Sequence, residues 1–437
     1  MNQQITIPQS GTFTLANIRL HRSQTKEAGL TYNSDGLALA QITVENGIIG
    51  AVTPCDGVTD ETVIDGRGGI VMPSFIDCHT HLDKGHIWPR ERNPDGSFDG
   101  ALTAVERDRS ANWNASDVET RMDFALRCAH AHGTKAVRTH IDSIPPQEKI
   151  SFPIFKQMRE KWKGRIELQA ACLFGIDAAE DESWFNQLAE IVADADGILG
   201  AVAYMVPDLD ALLDRLFAKA NDLSLDLDFH ADETDDVDAI ALDRIAEAAL
   251  RHNFEGRVLV GHCCSLARQA DKTALLTLDK VAKAGLSVVS LPMCNMYLQD
   301  RRIDKTTPRW RGVTLVHEMA DRGINVSVAS DNTRDPFYAY GDLDMLEVYR
   351  EATRILQFDH PVANWPASVT ANPARAMGLA GAGYLANGET ADFNLFRGRR
   401  FTELLSRPES DRIVIRDGRP VATHLPDYAE LDELTER

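Results

Sequence analysis

The sequence has no excess of basic residues. Its 46 lysines and arginines are outnumbered by 66 aspartates and glutamates, which gives a net charge of −20. Nucleic acids and anionic membranes attract proteins through basic surfaces, so the composition argues against both as partners. Long apolar runs are also missing, and a membrane-spanning helix needs about 18 or more apolar residues. The hydrophobic fraction of 43% is ordinary for a globular protein.

The cysteines show no pairing pattern. Their number, seven, is odd, and no C-x-x-C pair occurs, which argues against a disulfide framework and against a structural zinc knot. The first residues, MNQQITIPQSGTF, lack a basic segment followed by an apolar core, so we expect no secretory signal. A reduced, cytoplasmic setting is the resulting expectation.

Strand-like runs alternate with amphipathic helical stretches through the middle of the chain, and no G-x-G-x-x-G follows a strand. This alternation predicts an α/β fold, a (β/α)8 TIM barrel, with a doubly wound open sheet as the alternative that the missing glycine motif disfavours. The predicted strands are Ile70–His79, Lys135–Asp142, Ile166–Phe174, Ile198–Val206, Leu223–Asp232, Arg257–Cys264, Leu286–Met293 and Asn325–Asn332. The clearest helical stretches are Val118–His132, Val237–Leu250 and Thr273–Lys283.

The two ends of the chain have a different pattern. Asn46-Gly47 and Asp417-Gly418 each separate two apolar runs, which is a hairpin signal. The segment ADFNLF, Ala391–Phe396, is typical of another strand. We therefore predict a small β-sandwich-like domain formed by residues 1–68 and 380–437, with the barrel, residues 69–379, inserted between its halves.

The stretch IDCHTHLDK places His79 and His81 two positions apart, directly after an apolar run. Residues i and i+2 of a strand lie on one face, so two imidazoles could reach one metal ion. From this stretch alone, two ordinary polar loop residues are an equal alternative.

Three further groups follow predicted strands at the end where barrel enzymes carry their active sites. His230 ends a strand in which aspartates alternate with apolar residues, LSLDLDFH, and we favour a ligand role for it. Asp331 is either a ligand, a base or the cap of the next helix. His262 is either a site residue or a satisfied core histidine, and its place at a strand end favours the site.

Glu233 lies three residues after His230, where a carboxylate could move protons between metal and substrate. Spacing alone does not distinguish it from Asp232. Three imidazoles and one carboxylate can hold a divalent ion, which lowers the pKa of water toward about 7. Asp331 and His262 would then take the proton of the attacking water or orient it, and Glu233 would protonate the ring nitrogen or the leaving group.

Four segments, PSFIDCHTHLDK, HADETDD, VGHCCS and ASDNTRDPF, together resemble the cytosine-deaminase-like branch of the amidohydrolase superfamily. GETADFNLF and VIRDGRPV are similar to the closing segments of that superfamily. The resemblance spans nearly the whole chain. It implies that the metal ligands are His79, His81, His230 and Asp331. It also implies that Glu233 is the proton shuttle and that His262 assists the attacking water.

The resemblance also implies one metal ion per chain. Members with two metals carry a carboxylated lysine at the end of strand four, and the segment ILGAVAYMV has no lysine there. Zinc or iron is implied, and manganese suits the same donors.

The substrate pattern departs from cytosine deaminase. Phe174 and Gly175 stand where those enzymes carry a glutamine, and Asn332 stands where they carry a second aspartate. The forms HLDK and SDNTRD are similar to N-isopropylammelide amidohydrolases, which remove an alkylamine from an s-triazine. Phe337 matches the position of a stacking aromatic, and Trp88, on the loop after the first strand, is another candidate. We expect Asn332, Phe337, Phe174 and Trp88 to bind substrate.

These observations predict a metal-dependent hydrolase of carbon–nitrogen bonds in cyclic amidines. It would deaminate an aminated nitrogen heterocycle, a cytosine-like pyrimidine or an s-triazine, and release ammonia or an amine. One alternative is a ring-opening hydrolase of cyclic amides, which the missing lysine disfavours. Another is a barrel that binds a ligand without turnover, but metal binding alone requires neither Glu233 nor His262. The expected partners are a small heterocyclic substrate and further copies of the chain in a homo-oligomer.

Overall fold

The computed structural model describes residues 5–58, 62–408 and 411–435, which contain three β-sheets. The strands are β1 Thr12–His21, β2 Leu37–Glu45, β3 Ile48–Pro54, β4 Ile64–Pro73, β5 Phe75–Thr80, β6 Thr134–Asp142, β7 Glu167–Leu173, β8 Leu199–Ala203, β9 Leu227–Ala231, β10 Val258–His262, β11 Ser287–Ser290, β12 Asn325–Val328, β13 Phe393–Phe396, β14 Arg412–Arg416 and β15 Arg419–Pro420.

Each strand of the central region, β5 to β12, is followed by at least one helix. They are α1 Phe98–Asn112, α2 Ala115–Ala131, α3 Glu148–Trp162, α4 Glu182–Asp194, α5 Leu209–Leu223, α6 Ala241–Arg251, α7 Asp271–Lys283, α8 Pro292–Leu298, α9 Val316–Asp321, α10 Met345–Leu356, α11 Ala371–Met377, α12 Phe401–Ser406 and α13 Asp432–Thr435. None of those in the described part of the chain has the length and hydrophobicity that crossing a membrane requires.

Two of the sheets are entirely parallel. Strands β5, β6 and β7 form one, and β8 to β12 form the other in sequence order. Isolated parallel bridges join their edges, between Thr80 and Asp331 on one side and between Ala171 and Ile198 on the other. The mixed α/β fold with parallel strands is thus confirmed, and the finer assignment to a closed eight-stranded barrel stays a prediction.

Side chains on the parallel strands alternate between two environments. In β9, the ring of Phe229 stacks on Phe217 of α5 with 6.1 Å between centroids. Asp228 and His230, on the opposite face, are buried among other polar groups. The apolar face therefore holds the helices, and the polar face carries the groups predicted to form a site.

The third sheet has seven strands in the order β15-β14-β13-β4-β1-β2-β3, so it combines strands from both ends of the chain. Both predicted hairpin turns are present. Asn46 and Gly47 have φ values of 51° and 91°, and Asp417 and Gly418 have 47° and 70°. Positive φ at both central residues is the geometry that Asn-Gly and Asp-Gly favour. The division into two domains is not tested by this arrangement and stays a prediction.

Several predicted strands were too long, and two of them included several residues of another element. The run Ile70–His79 is not one strand, because β4 ends at Pro73 in the seven-stranded sheet and β5 begins a parallel sheet at Phe75. The run Leu286–Met293 contains only β11, and Pro292 begins helix α8. Proline has no N–H to donate to a strand partner and suits the first turn of a helix.

The two hairpin turns contact each other, which yields a test of the seven-stranded sheet. A Cβ on Gly47 would lie 2.8 Å from the carbonyl oxygen of Asp417, whereas a Cβ on Gly11, which has the same φ of 91°, would meet nothing within 4 Å. We expect Gly11→Ala to lower the free energy of unfolding by about 1 kcal/mol and Gly47→Ala by about 2–3 kcal/mol, since only the second adds a clash to the backbone strain. Urea unfolding followed by circular dichroism measures both, and equal losses would contradict the contact.

Candidate active site

Four of the predicted site residues converge at the carboxyl ends of the parallel strands. The Nε2 atom of His230 lies 3.1 Å from Nε2 of His79 and 3.3 Å from Nε2 of His81. Oδ1 of Asp331 lies 3.2 Å from Nε2 of His81 and 3.6 Å from Nε2 of His79. All four side chains are buried. Residues separated by as much as 252 positions thus present one donor atom each to a common point.

The backbone sets this convergence. The amide of Asp331 donates a hydrogen bond of 2.9 Å to the carbonyl oxygen of His79, which fixes the end of β12 beside the end of β5. Asp331 has a φ of 61°, a left-handed conformation that non-glycine residues rarely adopt. Gly261 of β10 leaves room for the ring of His79, since a Cβ there would lie 2.9 Å from its Cε1 atom. The strained backbone of Asp331 and the absence of a side chain on Gly261 thus both contribute to the arrangement of the cluster.

Burial determines the charge state of the cluster. It lowers the pKa of His79, His81 and His230 well below the usual value, and neighbouring imidazoles, with Lys84 in the case of His81, lower these pKa values further. Burial also raises the pKa of Asp331 to about 7. The three imidazoles are therefore neutral at physiological pH, which is the form that binds metal ions.

The donor set fits one metal ion. Metal–nitrogen distances of about 2.0–2.1 Å in tetrahedral geometry place neighbouring ligand atoms about 3.3 Å apart, close to the separations of 3.1 to 3.6 Å in the cluster. Neither carboxylate oxygen of Asp331 accepts a hydrogen bond from the described residues. His79, His81 and Asp331 form one of the groups that could hold an ion, and His79, His230 and His262 form another. A cation at this point would satisfy atoms that the protein leaves without partners.

A second cluster lies beside the first and contains Glu233 and His262. Asn295 of α8 donates hydrogen bonds to Oε1 of Glu233 at 3.0 Å and to Nδ1 of His262 at 2.9 Å. Oε1 of Glu233 lies 3.5 Å from Nδ1 of His262. Burial, and then the charge of Asp331, raises the pKa of Glu233 well above its usual value. A carboxyl group with a raised pKa can act as both proton donor and acceptor.

The choice between Glu233 and Asp232 is made by their hydrogen bonds. Asp232 accepts from the amides of Ala241 and Leu242, at 2.8 and 2.9 Å, and so caps the start of α6. Both oxygens of its carboxylate are therefore engaged in hydrogen bonds to the start of this helix. Glu233 remains 13% exposed and faces the histidine cluster.

Two residues of the site were missed from the sequence. Asn295 lies two residues beyond the predicted strand Leu286–Met293, in helix α8, and no local pattern marks it. His140 of β6 is fully buried, with Nε2 3.1 Å from Nδ1 of His79. It had a signal: in KAVRTHID, Arg138, His140 and Asp142 alternate with Val137, Thr139 and Ile141, a pattern similar to the one that drew attention to His230.

The predicted substrate residues are not all brought together. Phe337 is buried with Lys84 Nζ 5.1 Å from its ring centroid, and Asn332 donates to Asp335 at 2.8 Å next to it. Trp88 is half-buried, and its amide donates to the carbonyl of Arg334 in the same region.

Phe174 lies elsewhere. Its ring packs edge-on against Trp184 of α4, with 5.1 Å between centroids, in the layer between strands and helices. Alternation along β7 directs this side chain toward the helices, so the structure does not join it to the cluster.

Known proteins with similar sequences place these observations in a family. The amidohydrolase family model matches residues 170–422. A pterin deaminase of Rhizobium rhizogenes is 54% identical over 401 residues, which cover 92% of each chain. The chain belongs to the amidohydrolase family. Another amidohydrolase, the N-isopropylammelide isopropyl amidohydrolase of a Pseudomonas species, is 25% identical over 308 residues, 66% of this chain and 69% of that protein.

The fold is similar to that of solved amidohydrolase relatives. The crystal structure of 5-methylcytosine deaminase from Klebsiella pneumoniae with 5-fluorocytosine superposes with a TM-score of 0.80 at 23% identity, covering 95% of this chain and 98% of that one. The predicted cytosine-deaminase-like branch is confirmed. So is the predicted class of enzyme, a hydrolase that deaminates nitrogen heterocycles at carbon–nitrogen bonds of cyclic amidines.

The geometry of the histidine cluster predicts the result of removing one donor. We expect His79→Ala to weaken binding of a divalent metal ion by more than about 100-fold, the upper end of what losing a hydrogen-bond partner of a ligand costs. Metal content after dialysis, measured by elemental analysis, tests this. His21→Ala removes an equally buried imidazole from the seven-stranded sheet and should leave metal content unchanged. Full occupancy in His79→Ala would contradict the ligand set.

Proposed function

We propose that this amidohydrolase is a pterin-type deaminase. The observation that carries the proposal is the 54% identity, over 92% of both chains, with a pterin deaminase. A pterin carries its amino group on a carbon between two ring nitrogens, the same amidine unit that the sequence analysis expected in a smaller pyrimidine or triazine ring. Water adds at that carbon and ammonia leaves, so a carbon–nitrogen bond is exchanged for a carbon–oxygen bond.

The proposal includes one divalent metal ion held by His79, His81, His230 and Asp331. Their separations and the unpartnered oxygens of Asp331 support this set. Zinc, iron and manganese all suit three imidazoles and a carboxylate. When bound, such an ion supplies Lewis-acid activation of water.

The proton transfers are assigned to the second cluster. His262 orients the attacking water, and Asp331 accepts its proton. Burial lowers the pKa of His262 to about 3, so the ring is neutral, and because its Nδ1 accepts from Asn295 its single proton is on Nε2, which can donate to the oxygen of the attacking water. Glu233 gives its proton to the ring nitrogen, receives the proton that Asp331 took from water, and passes it to the departing amine; the hydroxyl of the adduct returns a proton to Glu233 as the carbonyl forms. Asn295 donates to both Glu233 and His262, and this shared donor fixes the proton shuttle relative to the imidazole that orients the water.

The ring of the substrate is proposed to lie against Phe337. The ammonium of Lys84 near the same ring is supported by an ion pair of 3.0 Å with Asp142, which holds it in place. Trp88 and Asn332 belong to the same region and stay in the proposal as substrate contacts. The outward packing of Phe174 is not compatible with a direct contact, so we leave it out.

We also infer that β5 to β12 form a closed (β/α)8 barrel, with residues 1–68 and 380–437 as a separate sandwich-like domain. Bridges at both junctions of the parallel sheets support closure. A core of its own supports the second domain, since apolar residues of β1, β2 and β13 pack together in one cluster. The cytoplasmic setting and the homo-oligomer stay predictions.

The function is tested by ammonia release from purified protein whose metal content is measured on the same sample. The panel contains pterin, isocytosine, cytosine, and s-triazines with and without N-alkyl groups. We expect pterin to have the highest kcat/KM and about one metal ion per chain, as the single donor set implies. Turnover of another heterocycle but not of pterin would overturn the substrate and keep the enzyme class.

The role of Glu233 is tested by Glu233→Gln, which keeps the shape of the side chain and removes its titratable carboxyl group. We expect kcat for pterin to fall by about 10²–10⁴-fold, the usual contribution of general acid–base catalysis, with metal content unchanged. Asn295→Leu removes only the hydrogen-bond donor, and a smaller loss of about 10–100-fold is expected. Wild-type kcat in Glu233→Gln would rule out the proton transfer.

A further inference from the structure

One buried imidazole next to the proposed ligands has no part in the mechanism above. His140 is fully buried, and its ring centroid lies 4.1 Å from that of His79. Its Nε2 atom lies 3.1 Å from Nδ1 of His79, within hydrogen-bond distance. One of the two nitrogens must carry a proton for this contact to be attractive.

The metal-facing side of His79 decides which nitrogen carries it. A neutral imidazole has one proton, on either Nδ1 or Nε2. Nε2 of His79 points at Nε2 of His230 and at the carboxylate of Asp331. If that atom is to give its lone pair to a cation, the proton must be on Nδ1. The only direction left for the contact is donation from Nδ1 of His79 to an unprotonated Nε2 of His140.

We propose that His140 is a positioning residue for the metal: it accepts the Nδ1–H of His79 and so keeps the lone pair of His79 on Nε2. This inference rests on the proposed function, which makes His79 a ligand. Metal-binding histidines usually donate their other N–H to a carboxylate, a backbone carbonyl or water. Here an imidazole fills that place.

The nearby carboxylate does not take this role. Oδ1 of Asp228 has no hydrogen-bond partner among the described residues, so it does not accept from His79, and it lies 3.7 Å from Nε2 of His140. Its other oxygen accepts from Arg138 at 2.9 Å, and Arg138 is fastened to Gln169 by two further bonds. Asp228 is therefore held by the cation below it, and His140 is the acceptor within reach of His79.

Packing fixes the ring of His140. Its centroid lies 4.5 Å from that of His230, with the two rings nearly perpendicular at 84°. Its Nδ1 atom carries the ring proton and has no partner among the described residues. The hydrogen bond with His79 is therefore the polar contact that orients the imidazole of His140. Removing either histidine would leave the other without this hydrogen-bond partner.

Two substitutions of similar size separate the acceptor from the packing. Glutamine at position 140 offers an amide oxygen that can accept from His79, whereas methionine has the same length and only a weak acceptor. Cobalt(II) is titrated into metal-free wild type, His140→Gln and His140→Met, and its visible absorption reports both affinity and ligand geometry. We expect His140→Met to bind cobalt 10–100-fold more weakly, with an altered spectrum, and His140→Gln to remain within a few-fold of wild type.

Three outcomes overturn the proposal: wild-type affinity and spectrum in His140→Met, equal weakening in both variants, or the same weakening in the control His21→Met, which changes a buried histidine outside the cluster. Circular dichroism verifies folding, and His140→Asn with His140→Leu is a second pair if either variant unfolds. Because cobalt binding needs no substrate, a wild type that binds cobalt but leaves pterin intact would count against the proposed function alone.

Discussion

The hydrogen bond from the amide of Asp331 to the carbonyl of His79 is the contact on which the site depends. It joins the last parallel strand to the first and brings together groups that are 252 positions apart in the chain, 331 minus 79. His140 of β6 and His230 of β9 then reach His79 from the strands in between, with nitrogen–nitrogen distances of 3.1 Å each. Without this contact the donor atoms would lie on two separate parallel sheets, and no common point would exist for a cation.

The contact between the first and last parallel strands also buries polar groups, and a buried polar group without a hydrogen-bond or charge partner costs free energy. The structure meets this requirement below the site, where Arg138 pairs with Asp228, and at its rim, where Lys84 pairs with Asp142. At the centre it does not. Asp331 is left with neither oxygen hydrogen-bonded to a described residue, and its backbone is left-handed. The carboxylate oxygens without hydrogen-bond partners and the strained backbone thus belong to the same residue, and a cation bound there would give the oxygens a partner.

Local patterns allowed His79, His81 and His230 to be proposed as metal ligands, whereas the choice of Asp331 as the fourth ligand came from the resemblance to a family. His-x-His after an apolar run, and polar residues alternating on a buried strand, are visible within ten residues. The turns at Asn46 and Asp417 were predictable for the same reason, since their geometry is set by two residues. The break between β4 and β5 was not, because a continuous apolar run does not show where a chain passes from one sheet to another.

The missed residues show the limit of such patterns. Asn295 has meaning only through Glu233 and His262, which reach it from two other strands, so its role is a property of the assembled ends. Asp232 is the converse case. By spacing it was the equal of Glu233, and only the start of α6, nine residues further on, removes it from the chemistry by using its carboxylate as a cap. Residue type and position in the sequence indicate candidate catalytic groups. The hydrogen bonds that each group makes in the folded protein then decide which of them stay available for catalysis.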